Sequence, residues 1–181
     1  RAAEHTDSKM HKRTCDLIRE YLNKSSNLSC FGFQLCCFVD QVFWNDKLIE
    51  CKENKEKIYL IDRYISSAKV YGFVEAVKNG YDISTTEAVL EGMSSIICQP
   101  DLDILLIASP DVLMHRIEER CKLTAKKKEV YEKSEFLNSV VSRYRHLYDE
   151  KRIVDTTDKN IEQTIRNIVK IITSHFKIDL G

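Results

Sequence analysis

An α/β fold with a parallel sheet is the architecture this sequence predicts, and three observations predict it. Short apolar runs alternate with longer stretches of helical periodicity. Each pair of runs is separated by enough chain to hold a crossover helix, which implies parallel pairing. Gly is 5 and Pro is 2 in 181 residues, too few for a hairpin-rich protein with many tight turns.

The elements follow in order. Residues 8–23 read as a helix with Leu17, Ile18, Tyr21 and Leu22 on one face, and Asp7 or Ser8 as its cap. Residues 32–51 read as a second, strongly apolar helix. The run Lys-Ile-Tyr-Leu-Ile-Asp at 57–62 is compact, β-prone and ends in an acid, so a strand is expected there. Residues 65–79 are helical in pattern. Ser84-Thr-Thr-Glu87 has the form of a capping box opening a helix to about Ile97. A second strand is expected at 103–108 and a third at 151–155. Between them lie a helix begun by Ser109-Pro110-Asp111, a basic stretch at 122–133 and a helix at 134–149. Asp158 is the expected cap of a last helix, with Ile161, Ile165, Ile168, Val169 and Ile172 at helical spacing. The sequence contains no linker, repeat or low-complexity segment, so one domain over 1–181 is expected.

Composition narrows the function. Hydrophobic residues make up 43%, enough for a core. Lys+Arg is 28 and Asp+Glu is 28, a net charge of zero, so neither nucleic acid nor a membrane surface is the expected partner. A small anion needs only a local cationic pocket. The seven cysteines form neither a C-x-x-C nor an even framework, which suits reduced thiols and a cytoplasmic location. His5, His11, His115, His146 and His175 stand at no recognised metal-ligand spacing, and no catalytic or metal role is expected of them.

In open parallel sheets ligands gather at the carboxyl ends of the strands. Those ends carry Asp62-Arg63-Tyr64, Ala108-Ser109-Pro110 and Asp155-Thr156-Thr157. Asp62 can hold the water shell of a metal, and Arg63 can take a phosphate in bidentate fashion. Taken by itself the tripeptide reads more plainly as a strand-end acid capping a helix, with Arg63 in a surface salt bridge. Lys126, Lys127 and Lys128 form a cationic cluster in the basic stretch, where a solvated loop is the plainer reading.

The tripeptide is not isolated. Asp62, Arg63, Tyr64, Ser67 and Tyr71 resemble the thymidylate kinase signature D-R-Y-x-x-S-x-x-A-Y, with Val70 in place of its Ala. Pro100-Asp-Leu, Ser109-Pro110-Asp111, Arg116-Ile-Glu-Glu-Arg120, Tyr131-Glu132 and Ile153-Val-Asp155 follow in that family's order. The resemblance implies a P-loop-kinase-like three-layer sandwich with a parallel sheet. It also implies ATP-dependent phosphorylation of a nucleoside monophosphate, dTMP first, with Mg2+, by a homodimer. Asp62 and Arg63 would then be catalytic, with Asp62 also at the metal. Arg1, Cys37, Phe38, Gln41, Tyr64, Ser67 and Tyr71 would bind substrate. Arg120 would stack on adenine, and residues 122–133 would be a lid bringing Lys126, Lys127 and Lys128 to the ATP phosphates.

The sequence also departs from that family. No G-x-x-x-x-G-K-[ST] occurs in it, so the cradle for the ATP phosphates has no residues here. The first strands of such a sheet are missing too, and the sequence is expected to be a fragment. Cys37 and Gln41 stand where the family has a base-stacking Phe and a base-reading Arg, which leaves UMP or CMP open as substrates. A kinase-like module that binds without catalysing is the alternative.

Overall fold

The computed structural model describes residues 9–25, 27–54, 58–125 and 127–178. Arg1, Lys126 and the cap expected at Asp7 or Ser8 lie outside them. The chain forms two compact units, 1–99 and 100–181.

The first unit is helical among the described residues. It holds α1 (Lys9–Leu22), α2 (Cys30–Val42), α3 (Asn45–Glu53), α4 (Ile65–Lys78) and α5 (Ile83–Ser95). Helix α2 packs on α1 and on α4, and α4 packs on α5. Ser29 caps α2, its hydroxyl accepting from Gly32 N. The apolar segment expected as one helix over 32–51 is broken at Phe43–Trp44. There Trp44 N donates to Gln41 O at 3.1 Å, an i→i−3 bond that tightens and ends the last turn of α2. Asn45 then fixes the exit, donating to Ile96 O (2.9 Å) and accepting from Cys98 N (2.8 Å). The cap of α5 is Asp82, two residues before the expected Ser84. A carboxylate in extended backbone reaches Thr85 N at 2.8 Å and also takes the Ser84 hydroxyl.

The core of this unit is Phe38, Ile65, Ala68, Leu90 and Ile97, with Cys37, Tyr64, Phe73 and Met93 packed against it. Helices α2 and α4 meet closely because residue 72 has no side chain. A Cβ on Gly72 would lie 2.8 Å from Gln34 Cγ and 3.1 Å from Leu90 Cδ2. Tyr21 of α1 stacks on Phe33 of α2 (4.2 Å, 15°) and donates its hydroxyl to Glu75 of α4. At the end of α4 Gly80 turns the chain at φ 83°.

The strand expected at 57–62 is not formed among the described residues. Residues 58–61 are irregular and a bend follows at 62–63. Ile58, Tyr59, Leu60 and Ile61 are exposed, Leu60 at 82%. A strand exists only through hydrogen bonds to a neighbour, and propensity without a partner does not make one.

The second unit is the α/β part. Strands β1 (Leu105–Ile107) and β2 (Ile153–Asp155) pair in parallel, Leu105 opposite Ile153 and Ile107 opposite Asp155. Helices α6 (Pro110–Thr124) and α7 (Ser134–Leu147) lie between them in the chain, and α8 (Ile161–Phe176) follows. The expected α/β class with parallel pairing is therefore present as a small sheet within a mostly helical chain. Ser109 caps α6 with Pro110 in the first turn, as the sequence predicts. The cap of α8 is Asn160, not Asp158. Asn160 Oδ1 accepts from Gln163 N (2.9 Å), and Gln163 Oε1 accepts from Asn160 N (3.0 Å), a reciprocal pair that Asp158 is too early to make.

The close approach at Gly72 gives a direct test. Gly72→Ala forces Gln34 and Leu90 to shift, and overpacking of this kind costs about 1–3 kcal/mol. Urea unfolding is expected to show a lower midpoint with an unchanged slope.

Candidate functional site

The bend at Asp62–Arg63 delivers the chain into α4. Arg63 sits in the left-handed region at φ 59°, uncommon for a side-chain-bearing residue and characteristic of functional sites. Its guanidinium carbon lies 5.2 Å from the centre of the Tyr71 ring, so the cation covers the aromatic face two turns along α4. Asp62 is exposed beside it. Tyr64 holds the N-cap position without a side-chain cap bond. Its hydroxyl reaches away instead, donating to Cys98 O at 3.1 Å. The elbow is thus anchored to the 96–98 turn. Ser67 lies half-buried in the first turn of α4. Arg63, Tyr64 and Ser67 therefore share one helix start, with Tyr71 further along the same helix, and at that start backbone N–H groups and the positive end of the helix dipole favour an anion.

Three packed helices bury polar groups nearby in the sequence and in the unit. Gln34, Gln41, Glu75 and Thr86 are all buried, Gln34 at 1% and Thr86 at 0% exposure. Both Gln34 side-chain polar atoms, Gln41 Oε1 and the Thr86 hydroxyl have no hydrogen-bond partner among the described residues. A buried donor or acceptor left unmet costs about 1–3 kcal/mol, so such groups mark places where a polar partner is wanted. Of these only Gln41 was singled out from the sequence. Gln34 is readable in retrospect, since it lies seven residues before Gln41, two turns back on the same face of an apolar helix. Phe38 is 4% exposed and belongs to the core cluster, and Cys37 packs against that cluster. Burial pushes the Cys37 thiol up to about 12, with smaller contributions from Cys36, Asp40 and Glu75. Both residues back the turn of α2 that carries Gln41.

In the second unit the carboxyl ends of the two strands are stitched together. Thr156 N and Oγ1 both donate to Ile107 O, at 2.7 and 2.8 Å. Arg116 of α6 grips Thr156 twice, Nη1 to Oγ1 (2.9 Å) and Nη2 to the carbonyl (2.8 Å). Asp155 accepts from Thr157 N and Oγ1, and these bonds hold its carboxyl below the usual carboxylate range. Arg116 lay in the motif read from the sequence but carried no role there. An open depression of about 410 Å³ follows β2 in the chain, lined by Asp158, Lys159, Gln163, Arg166 and Asn167.

The expected lid starts at the end of α6. Arg120 donates through Nη2 to both oxygens of Glu132 at 2.7 Å, and Glu132 also accepts from Glu129 N at 2.9 Å. These hydrogen bonds to Glu132 raise the guanidinium's pKa above its ordinary value. Lys128 is paired with Glu118 at 3.0 Å, and Lys127 is exposed. Tyr131 is buried and stacks on Phe136 (4.8 Å, 22°). The segment is thus closed at its base by one arginine–carboxylate pair. The edge of the Arg120 guanidinium is committed to Glu132.

The first unit thus carries a signature elbow before α4 and, elsewhere in its helices, buried polar side chains; the second carries a parallel strand pair and a cation-bearing loop. A family model for thymidylate kinase matches residues 6–168. The chain belongs to the thymidylate kinase family and is a kinase, an enzyme that transfers a phosphoryl group. It is similar to a probable thymidylate kinase of Methanocaldococcus jannaschii, 26% identical over 155 residues that cover 84% of this chain and 73% of the relative. A second probable thymidylate kinase, from Archaeoglobus fulgidus, is 24% identical over 144 residues, 76% of this chain and 67% of the relative. Among the described residues no helix is long and apolar enough to cross a membrane.

The Tyr64 anchor has a pH signature. Burial, then the neighbouring Cys98, push the Tyr64 hydroxyl from 10.0 up to about 12. The folded protein then holds this proton where the unfolded chain has released it. The stability it contributes is complete below pH 10 and is lost as pH rises towards 12. Tyr64→Phe is expected to cost about 1 kcal/mol at pH 8 through the lost hydrogen bond. It should also flatten the fall in stability over that alkaline window, as read by urea midpoints at several pH values.

Proposed function

We propose that this chain takes part in ATP-dependent phosphorylation of a nucleoside monophosphate, with dTMP as acceptor and dTDP and ADP as products, in nucleotide biosynthesis. The observation that carries the proposal is the elbow at Asp62-Arg63-Tyr64. A left-handed arginine at a helix N-terminus, stacked on Tyr71, stands within a chain of the thymidylate kinase family.

In this reading Arg63 binds the acceptor phosphate with the helix N-terminus of α4, and the Tyr71 face takes the sugar or base as the guanidinium turns to the phosphate. Ser67 hydrogen-bonds the nucleoside. Gln41 reads the base edge, because an amide carries both a donor and an acceptor and its Oε1 has no hydrogen-bond partner among the described residues. Cys37 and Phe38 support that helix turn, and Arg1 is assigned to the substrate from the sequence resemblance alone. ATP with Mg2+ supplies the phosphoryl group. Asp62 suits such an ion, since Mg2+ is commonly held by one or two carboxylates with its waters and substrate phosphates. An acceptor phosphate oxygen attacks the γ-phosphorus, the bond to the β–γ bridging oxygen breaks, and ADP leaves. The protein's share is positioning and positive charge. Arg120 is assigned to the adenine face, and Lys126, Lys127 and Lys128 to the phosphates, with Lys128 exchanging Glu118 for phosphate oxygen. The cradle for the ATP phosphates is not assigned to residues of this sequence, which contains no G-x-x-x-x-G-K-[ST].

Homodimerisation belongs to the same proposal. Leu35, Val39 and Val42 are exposed at i, i+4 and i+7 on α2, an apolar stripe that suits helix–helix contact. Sedimentation is expected to show a concentration-dependent dimer that Val39→Lys shifts to monomer.

The catalytic reading is tested by a coupled assay of ADP release with dTMP, dUMP, UMP and CMP. Arg63→Ala is expected to lower kcat/KM for the monophosphate by about a hundredfold while leaving the urea midpoint nearly unchanged. Equal turnover of every monophosphate by wild type and variant would remove Arg63 from the site. A preference for UMP or CMP over dTMP would assign pyrimidine choice to Gln41 instead.

A further inference from the structure

Helices α1 and α2 bring together three metal-ligating side chains, none of them assigned to the substrate or to ATP. His11 and Cys15 are four residues apart on α1, one above the other on a single face. Asp40 of α2 meets both. His11 Nε2 lies 2.8 Å from Asp40 Oδ1, and the Cys15 thiol donates to the same oxygen at 3.5 Å. The three ligand atoms all lie within 4.8 Å of one another. His11 is buried, with Phe43 at 5.0 Å and Trp44 at 6.2 Å around its ring, while Cys15 and Asp40 are half-buried.

We propose that His11, Cys15 and Asp40 form a binding site for a borderline-soft divalent cation of the zinc class, joining α1 to α2. The donor set is one imidazole nitrogen, one thiolate sulfur and one carboxylate oxygen, a combination that such ions take and hard ions such as Mg2+ do not. Three protein ligands leave the fourth tetrahedral position to water.

The distances suit this. Tetrahedral zinc with ordinary bond lengths puts nitrogen and oxygen roughly 3.3 Å apart and sulfur and oxygen roughly 3.5 Å apart. The sulfur–oxygen separation is already met, and the nitrogen–oxygen pair opens by about half an ångström, a small side-chain rotation. An ion pair explains His11 with Asp40 but gives no reason for the thiol. The aromatic rings of Phe43 and Trp44 keep water from the imidazole side, which strengthens ligation. On binding, the Cys15 S–H proton leaves to solvent as the metal–sulfur bond forms. The imidazole ligates in its neutral form through Nε2, Asp40 ligates as carboxylate, and no electron is transferred.

The probe is Co2+, followed by Zn2+, added to the full chain after chelator treatment and dialysis. The proposal expects one-to-one binding with the visible bands of tetrahedral cobalt and a near-ultraviolet sulfur-to-cobalt charge-transfer band. Zinc should displace the cobalt and raise the melting temperature. Cys15→Ser should abolish the charge-transfer band, and Asp40→Asn should weaken cobalt binding by more than about tenfold, with circular dichroism unchanged in both. The other six cysteines supply the control. A charge-transfer band that survives Cys15→Ser overturns the proposal, as does a wild-type spectrum of octahedral cobalt without sulfur ligation.

Discussion

Helix α2 is seated between α1 and α4, and the first unit depends on how closely it sits. The seat exists because Gly72 leaves room for the Gln34 side chain, so two backbones approach at a point where any Cβ would collide. That approach sets the direction of α2 and with it three consequences. Phe38 enters the core, Asp40 reaches the α1 face that carries His11 and Cys15, and Gln41 is turned inward with an acceptor unmet among the described residues. An apolar helix interrupted by inward amides is a poor choice for stability and a good one for recognition, since unmet polar groups in a dry setting discriminate between ligands by hydrogen-bond fit.

The second unit solves a different problem with the same economy of residues. Two three-residue strands are too short to hold a sheet by ladder bonds alone. Thr156 extends the pairing past the end of β2, and Arg116 closes the arrangement by binding both the hydroxyl and the carbonyl of that threonine. The strand ends, where parallel sheets present ligands, are therefore held by side chains. The loop after α6 is treated alike, through Arg120 and Glu132.

Local chemistry explains which features were legible in the sequence. The Ser109–Pro110 start of α6 and the extents of α4 and α7 follow from propensity and capping, and the structure agrees to within a residue or two. Asp82 and Asn160 were missed as caps because several good capping residues stand in a row, and only backbone geometry chooses among them. The strand expected at 57–62 rested on composition, and pairing is a property of two segments. The elbow at Asp62–Arg63–Tyr64 was visible as a motif, but the left-handed Arg63 and the Tyr64 bond to Cys98 were not. His11 and Cys15 were present at one-turn spacing, yet their meaning needed Asp40, which lies 25 residues further on and arrives only by helix packing.

Residues 58–61 are built to be covered by something. Four consecutive large apolar side chains stand in irregular, exposed backbone that takes part in no ladder among the described residues. Such a stretch has the composition of a cross-strand adhesive: rich in β-branched and aromatic residues, uncharged and free of proline. A neighbouring strand could pair with it while the helical core stays closed. Ile58-Tyr-Leu-Ile61 is thus a contact surface distinct from the packing of Phe38, Ile65, Ala68, Leu90 and Ile97.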